Sequence, residues 1–284
     1  MKIKRLFSTI LMAATLFSSA RSAMAADEAA SAASSIQDLL VTPTRILFEG
    51  NMPTTELALV NRSDKPHTYA LSFVQCRMSE TGEIKEINAT DPPDPQEHFA
   101  DSLVRFTPRR VILEPRQVQM VRMMLRKPAD LAEGEYRSHL SFRLIPSTEN
   151  AVKPDSVSTG IQIKLIPIYG VTIPVIVRQG SLKATARLSA LRFDAKGLHL
   201  TIEREGNRST YGDLVVQWKG TGKAVTVGQM NGVAVYTPNP KRTVSMALSP
   251  PKGVELRGGE LTVRYIAKEN DTEQLITEGK IAVL

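Results

Sequence analysis

One stretch narrows the possible folds more than any other: Gly160 to Gly180, whose odd-numbered positions are almost all apolar. Ile161, Ile163, Leu165, Tyr169, Val171, Ile173, Val175 and Val177 share one parity, so an extended chain lines them up as a single stripe interrupted by Pro167. Proline cannot donate to a ladder and Gly170 weakens one, which suits a sheet edge better than a sheet centre. An exposed apolar edge invites pairing with another chain, so a strand of this kind is either covered or a docking device.

The rest of the chain reads in the same period. Leu39 to Phe48, Thr55 to Asn61, Thr68 to Gln75, Leu103 to Phe106, Arg110 to Leu113, Val118 to Leu125 and Tyr136 to Ile145 fit strands. They are separated by polar, proline-bearing loops such as Asn61 to Pro66 and Asp91 to Pro95. Seven or eight such strands with no amphipathic helix predict a β-sandwich. After Arg178-Gln179-Gly180-Ser181 a second series begins: Leu182 to Phe193, Leu198 to Glu203, Asp213 to Trp218, Ala224 to Val227, Val233 to Tyr236, Thr243 to Leu248, Leu261 to Ala267 and Gln274 to Val283. A smaller second sandwich is expected there. The expectation is therefore all-β, with two domains at 37–178 and 179–284, and a long polar loop from Ser147 to Thr159 just ahead of the apolar stripe.

Residues 1–25 have the layout of a cleaved secretory signal: Lys2, Lys4 and Arg5, an apolar stretch from Leu6 to Phe17, then Ala23-Met24-Ala25. Residues 26–36, rich in Ala and Ser, read as a disordered leader. Export with no stable membrane insertion is the expectation, since the apolar part is far shorter than the ~20 residues of a membrane helix. The formal charge of +7 includes Lys2, Lys4, Arg5 and Arg21, so removal of the signal leaves +3. That residual charge gives no reason to expect nucleic acid, and Arg105, Arg109, Arg110, Arg116, Arg122 and Arg126 alternate with apolar residues as solvated strand faces do. Cys76 is the sole cysteine, which excludes an internal disulfide and leaves a buried thiol or an intermolecular bridge.

No catalytic constellation is visible. His67, His98, His139 and His199 lack metal-ligand spacing, there is no phosphate-loop or Gly-x-Ser-x-Gly signature, and Asp91, Asp94 and Asp101 are spaced by prolines as a solvated turn would be. The chain reads as a non-enzyme without a cofactor.

Three stretches of the first domain together resemble one family. Thr42-Pro43-Thr44-Arg45-Ile46-Leu47-Phe48-Glu49-Gly50 is similar to its opening strand. Leu113-Glu114-Pro115 followed by Met120-Val121-Arg122 is similar to its Leu-x-Pro turn and Val-Arg strand, and Glu135 to Pro146 to the strand that ends before its variable loop. The family is that of the periplasmic pilus (fimbrial) assembly chaperones, with two immunoglobulin-like domains, and order and spacing agree from Leu39 to about Val177. The second domain matches by position and strand content alone.

The resemblance implies donor-strand complementation: a chaperone strand completes the incomplete sandwich of a secreted pilus subunit, which is then delivered to an outer-membrane usher. It assigns the donor strand to Ile161, Ile163 and Leu165 and onward to about Tyr169, and matches Arg45 to the arginine that holds the subunit's C-terminal carboxylate. The lysine that completes that anchor is either Lys164 in a shifted register or is replaced by Tyr169. Glu135 aligns with an acid of an interdomain network, with Arg178 as a substitute for its basic partner. Periplasmic location and a monomeric or weakly homodimeric state follow from the same likeness. The competing expectation is a structural or adhesive immunoglobulin-like exported protein that self-associates through its edge strand.

Overall fold

The computed structural model describes residues 38–146, 170–269 and 272–283. Strands account for the regular structure throughout these residues, with no helix long and apolar enough to cross a membrane. The run Leu39 to Phe48 is two strands and not one. β1 (Leu39–Thr42) pairs with β3 (Thr54–Asn61), while β2 (Ile46–Phe48) lies in the opposite sheet. Between them stand the cis Thr42–Pro43 bond and a bend over Thr44 and Arg45. The same change of sheet occurs around Pro108, between β7 (Val104–Thr107) and β8 (Arg110–Leu113). Proline has no N–H to give a ladder, so each break falls where the ladder must end anyway.

With β4 (His67–Val74), β9 (Val118–Leu125), β10 (Gly134–Ile145) and β11 (Gly170–Gln179), these strands form two sheets, in the orders β1-β3-β9-β7 and β2-β11-β10-β4-β8. In immunoglobulin terms the first is A-B-E-D and the second carries C, F and G. Alternation does the rest. Leu57 and Leu59 of β3, Val121 and Met123 of β9, Leu140 and Phe142 of β10 and Val175 and Val177 of β11 point inward and are fully buried. The arginines between 105 and 126 stand on solvent faces, where Arg122 meets Glu56 at 3.0 Å and Arg116 meets Asp64 at 2.8 Å.

A short hairpin that the sequence pattern did not disclose, β5 (Cys76–Met78) with β6 (Ile84–Glu86), projects from the first sandwich. Cys76 opens it and is buried, which pushes its thiol up to about 11, with Arg137 acting against that rise.

Beyond Gln179 a second pair of sheets begins. β12 (Ala184–Asp194), β13 (Gly197–Gly206) and β16 (Lys241–Met246) form one, in that order. The other runs β15-β14-β17-β18, from β14 (Thr210–Lys219), β15 (Val225–Val235), β17 (Glu260–Glu269) and β18 (Thr272–Ala282). These orders are A-B-E and C′-C-F-G, again the immunoglobulin pattern. Ala224 to Val227 and Val233 to Tyr236, read from the sequence as two strands, fall within or beside β15, whose register against β14 shifts between Gly212 and Leu214. Leu198, Ile202, Leu214, Val216, Leu261, Val263 and Tyr265 fill this core, and the Tyr265 hydroxyl donates to the Val233 carbonyl at 2.8 Å.

Candidate functional site: the junction between the two sandwiches

A third cluster of buried apolar residues lies where the sandwiches meet: Met78, Ile176, Ala234 and Tyr236, with Leu47 and Tyr211 against it. It accounts for a departure from the parity of the apolar stripe. Ile176 has the even parity that should face solvent, yet it is fully buried because the second sandwich covers the outer face of β11 there.

Polar groups surround this cluster. Glu135 and Arg178 are opposite one another in the β10–β11 register, and Arg178 Nε donates to Glu135 at 3.0 Å. The Glu135 carboxylate also accepts from the Ser209 amide at 3.1 Å, from the Ser209 hydroxyl, and from Thr237 Oγ1 at 3.4 Å, all across the domain boundary. Arg178 Nη1 reaches Glu49 at 3.1 Å, and Glu49 lies 3.9 Å from Arg208. A carboxylate with four donors and a guanidinium with two carboxylates are the conditions under which burial of charge is tolerated.

Deeper in, Arg137 donates to the Cys76 carbonyl at 3.2 Å and lies 4.6 Å over the Tyr236 ring, with its Nε unpartnered among the described residues. Burial lowers its basicity and raises that of Tyr236. Two residues along β10, His139 is buried between Val74 and Pro174, and burial, aided by the Arg137 charge, pushes its pKa down to about 3. It is a neutral structural side chain at any pH near 7. The β5–β6 hairpin completes the junction from the side: Asn239 Nδ2 donates to the Met78 carbonyl at 2.7 Å, the Thr243 amide to the Glu80 carbonyl at 2.6 Å, and Lys241 meets Glu80 at 3.2 Å.

Arg45 reaches this junction from the first sandwich. It ends the bend that precedes β2 and projects over Tyr211 of β14, with its guanidinium carbon 4.5 Å from the ring centroid. Its Nε and Nη2 are buried, and neither has a hydrogen-bond partner among the described residues. Two adjacent donors of one guanidinium held out of water and unpaired form a fork of the shape that receives a carboxylate in bidentate fashion.

The neighbouring backbone says from which direction. β11 pairs with β10 along its whole length, but with β2 only at Val175 to Val177, in parallel. Among the described residues, no strand pairs with the other side of β11 between Gly170 and Pro174. Among the described residues, the edge expected for this strand is thus open at Gly170 to Pro174, while β2 covers Val175 to Val177. A guest strand that filled the open half would lie in the same lane as β2 and stop at its first residue, Ile46, beside Arg45. If it ran parallel to β11, as β2 does, its C-terminus would arrive there.

Ile161, Ile163, Lys164, Leu165 and Tyr169, together with the polar loop and the signal and leader segments, lie outside the described residues. Within them Arg45, Glu135 and Arg178 come together at the domain junction, and Tyr211, Tyr236, Ser209 and Thr237 join them from the second sandwich. Nothing in the sequence marks these last four, since their role depends on contacts between distant segments. No group of three or more His, Cys, Asp or Glu side chains is placed to hold a metal among the described residues.

No protein-family model and no curated protein matches the chain. Among solved structures it is similar to the YadV chaperone, with 12% identity and a TM-score of 0.44 over 87% of this chain and all of that one. It is also similar to the CsuC–CsuE chaperone–tip adhesion subunit pre-assembly complex of the archaic chaperone-usher Csu pili of Acinetobacter baumannii. There the identity is 13% and the TM-score 0.45, over 84% of this chain and 97% of that one. The Salmonella enterica SafA pilin complex with the SafB chaperone matches at 15% and 0.39, over 86% and 96%.

Proposed function

We propose that this protein is a periplasmic chaperone of pilus assembly, which captures a secreted fibre subunit by strand donation and hands it on at the outer membrane. The observation that carries the reading is the lane beside β11 that is half-open among the described residues and ends at Arg45, whose Nε and Nη2 have no partner there. A lane of backbone hydrogen-bonding groups supplies affinity without regard to sequence, and the apolar side chains of alternate residues supply the rest. A terminal carboxylate at the end of the lane fixes the register, since a slip of one residue would turn every guest side chain to the wrong face. The resemblance of Thr42 to Gly50 and Glu135 to Pro146 to the chaperone strands supports the same reading.

On this reading the donor residues are Ile161, Ile163 and Leu165, the carboxylate is held by Arg45 with Lys164 or Tyr169, and Glu135 with Arg178 ties the two sandwiches together. Burial of these three apolar side chains contributes roughly 5–9 kcal/mol before ordering costs, which suits capture that is firm yet reversible.

The test is co-expression of the exported chain with candidate secreted subunits encoded near its own gene, using wild type, Arg45→Ala, and Ile163→Asp combined with Leu165→Asp. Recovery of a soluble subunit should fall in both variants while the chaperone itself stays folded. Recovery that ignores these changes refutes strand donation with carboxylate anchoring. Purified chain that polymerises alone supports the self-associating structural protein in its place.

A further inference from the structure

Arg45 and the ring beneath it belong to different sandwiches. Tyr211 lies on β14 opposite Ala234 of β15, at the apolar cluster that joins the two units. Its hydroxyl lies over Gly232, where the backbone has φ of +68° and an added Cβ would come within 3.1 Å of that oxygen, so the ring is bedded on bare main chain. The other aromatic groups near Arg45 are Tyr236 and Tyr265; burial raises both, and the Arg45 charge opposes that rise. Neither Nε nor Nη2 of Arg45 has a hydrogen-bond partner among the described residues.

A guanidinium has a face and an edge. The face takes an aromatic ring, while all five N–H donors lie in the plane and point outward along the edge. With its guanidinium carbon over the Tyr211 ring at 4.5 Å, Arg45 has no acceptor among the described residues to draw its Nε and Nη2 aside. From this we infer that Tyr211 is the positioning residue of the carboxylate anchor: it holds the Arg45 fork with its edge turned to the arriving C-terminus. Because Tyr211 comes from the second sandwich, capture of the carboxylate is tied to the docking of the two units. This rests on the carboxylate-anchor reading above and adds the residue that orients it.

Fluorescence anisotropy with two synthetic peptides tests the assignment. Both carry the same alternating Val and Thr sequence, one ending in a free carboxylate and the other in an amide, and the quantity read is the ratio of the two Kd values. The wild type should favour the free carboxylate. Tyr211→Phe, which keeps the ring, should preserve the ratio, and Tyr211→Leu should reduce it by about 5- to 30-fold, the effect of losing a cation–ring contact shielded from water. In Tyr211→Leu the affinity for the amide peptide should stay within about two-fold of wild type, a small change on the scale where 1.4 kcal/mol is tenfold.

If Tyr211→Leu keeps the wild-type ratio while Arg45→Ala abolishes it, the anchor stands and the role given to Tyr211 is overturned. If Tyr211→Leu weakens both peptides alike, the ring acts on the fold at large and the inference fails. If Arg45→Ala keeps the ratio, or the wild type does not discriminate, the anchor reading itself is wrong.

Discussion

Replacing Glu135 by alanine puts the junction between the sandwiches to a quantitative test. The side chain is fully buried and serves Arg178 at 3.0 Å, the Ser209 amide at 3.1 Å, the Ser209 hydroxyl and Thr237 at 3.4 Å. Breaking a buried pair by removing one partner costs about 3–5 kcal/mol, because the remaining charge stays buried. Here Arg178 keeps half-exposed Glu49 at 3.1 Å, which argues for the lower end, whereas the Ser209 amide loses its acceptor, which adds to the cost. A loss of about 3 kcal/mol is therefore expected, a large share of the stability of an ordinary domain.

Urea unfolding suits the measurement, because Trp218 is the only tryptophan and lies in the second sandwich, with its Nε1 donating to the Gly258 carbonyl at 2.9 Å. Far-UV circular dichroism reports both sandwiches. In the wild type the two signals should fall together, as for one docked body. In Glu135→Ala the Trp218 midpoint should move to lower urea by roughly 1–3 M, for slopes of ~1–3 kcal/mol per M, and the two curves should separate. Glu135→Gln conserves volume, so a loss of similar size in that variant assigns the effect to charge and not to a cavity. Coincident curves shifted by less than about 1 kcal/mol would refute the claim that this carboxylate ties the units together.

Two further outcomes follow from other buried side chains. His139 has its pKa pushed down to about 3, so the unfolded chain takes up a proton that the folded one refuses. Its contribution is complete above about pH 6.5 and disappears as pH falls toward 3. At ~1.4 kcal/mol per pKa unit, roughly 3 kcal/mol is gone by pH 4. His139→Gln should flatten the fall in stability between pH 6.5 and 4 by about that amount in urea titrations at a series of pH values, and an unchanged slope would sink the assignment. Asn61 is buried, with Nδ2 donating to the carbonyls of Lys65, Leu113 and Glu114 at 2.7, 2.9 and 3.2 Å while its oxygen accepts from Ser63. Asn61→Ala should cost about 2–4 kcal/mol by unfolding, and Asn61→Asp, which cannot donate, at least as much; a loss under about 1 kcal/mol in either would show that the loop satisfies itself without it.

The β character of the chain was legible because alternation is local: Leu57, Leu59, Val121, Met123, Leu140 and Phe142 declare their inward parity without knowledge of their partners. What could not be read is what two distant segments do together. Cys76-Arg77-Met78 and Ile84-Lys85-Glu86 are too short and too polar to look like strands, and their pairing earns its place only by reaching Asn239 and Thr243 more than a hundred residues away. Ile176 broke parity for the same reason, since its cover is Tyr236 and Ala234. For Glu135 and Arg178 a signal was present in the antiparallel register of β10 and β11, which sets 135 opposite 178 once any one pair is fixed. Tyr211 had no signal, for a tyrosine in a strand reads as core until the arginine above it is known.

The three residues of β2 also act as a ruler. Ile46, Leu47 and Phe48 occupy the lane beside β11 as far as Val175, and the open remainder begins where they stop. Each residue added to the front of β2 would shorten that remainder by about 3.3 Å, and a single addition would also exchange which face of a guest strand looks inward. The reach of the lane is therefore counted in whole residues, and the length of one short strand decides where any chain that enters it must end.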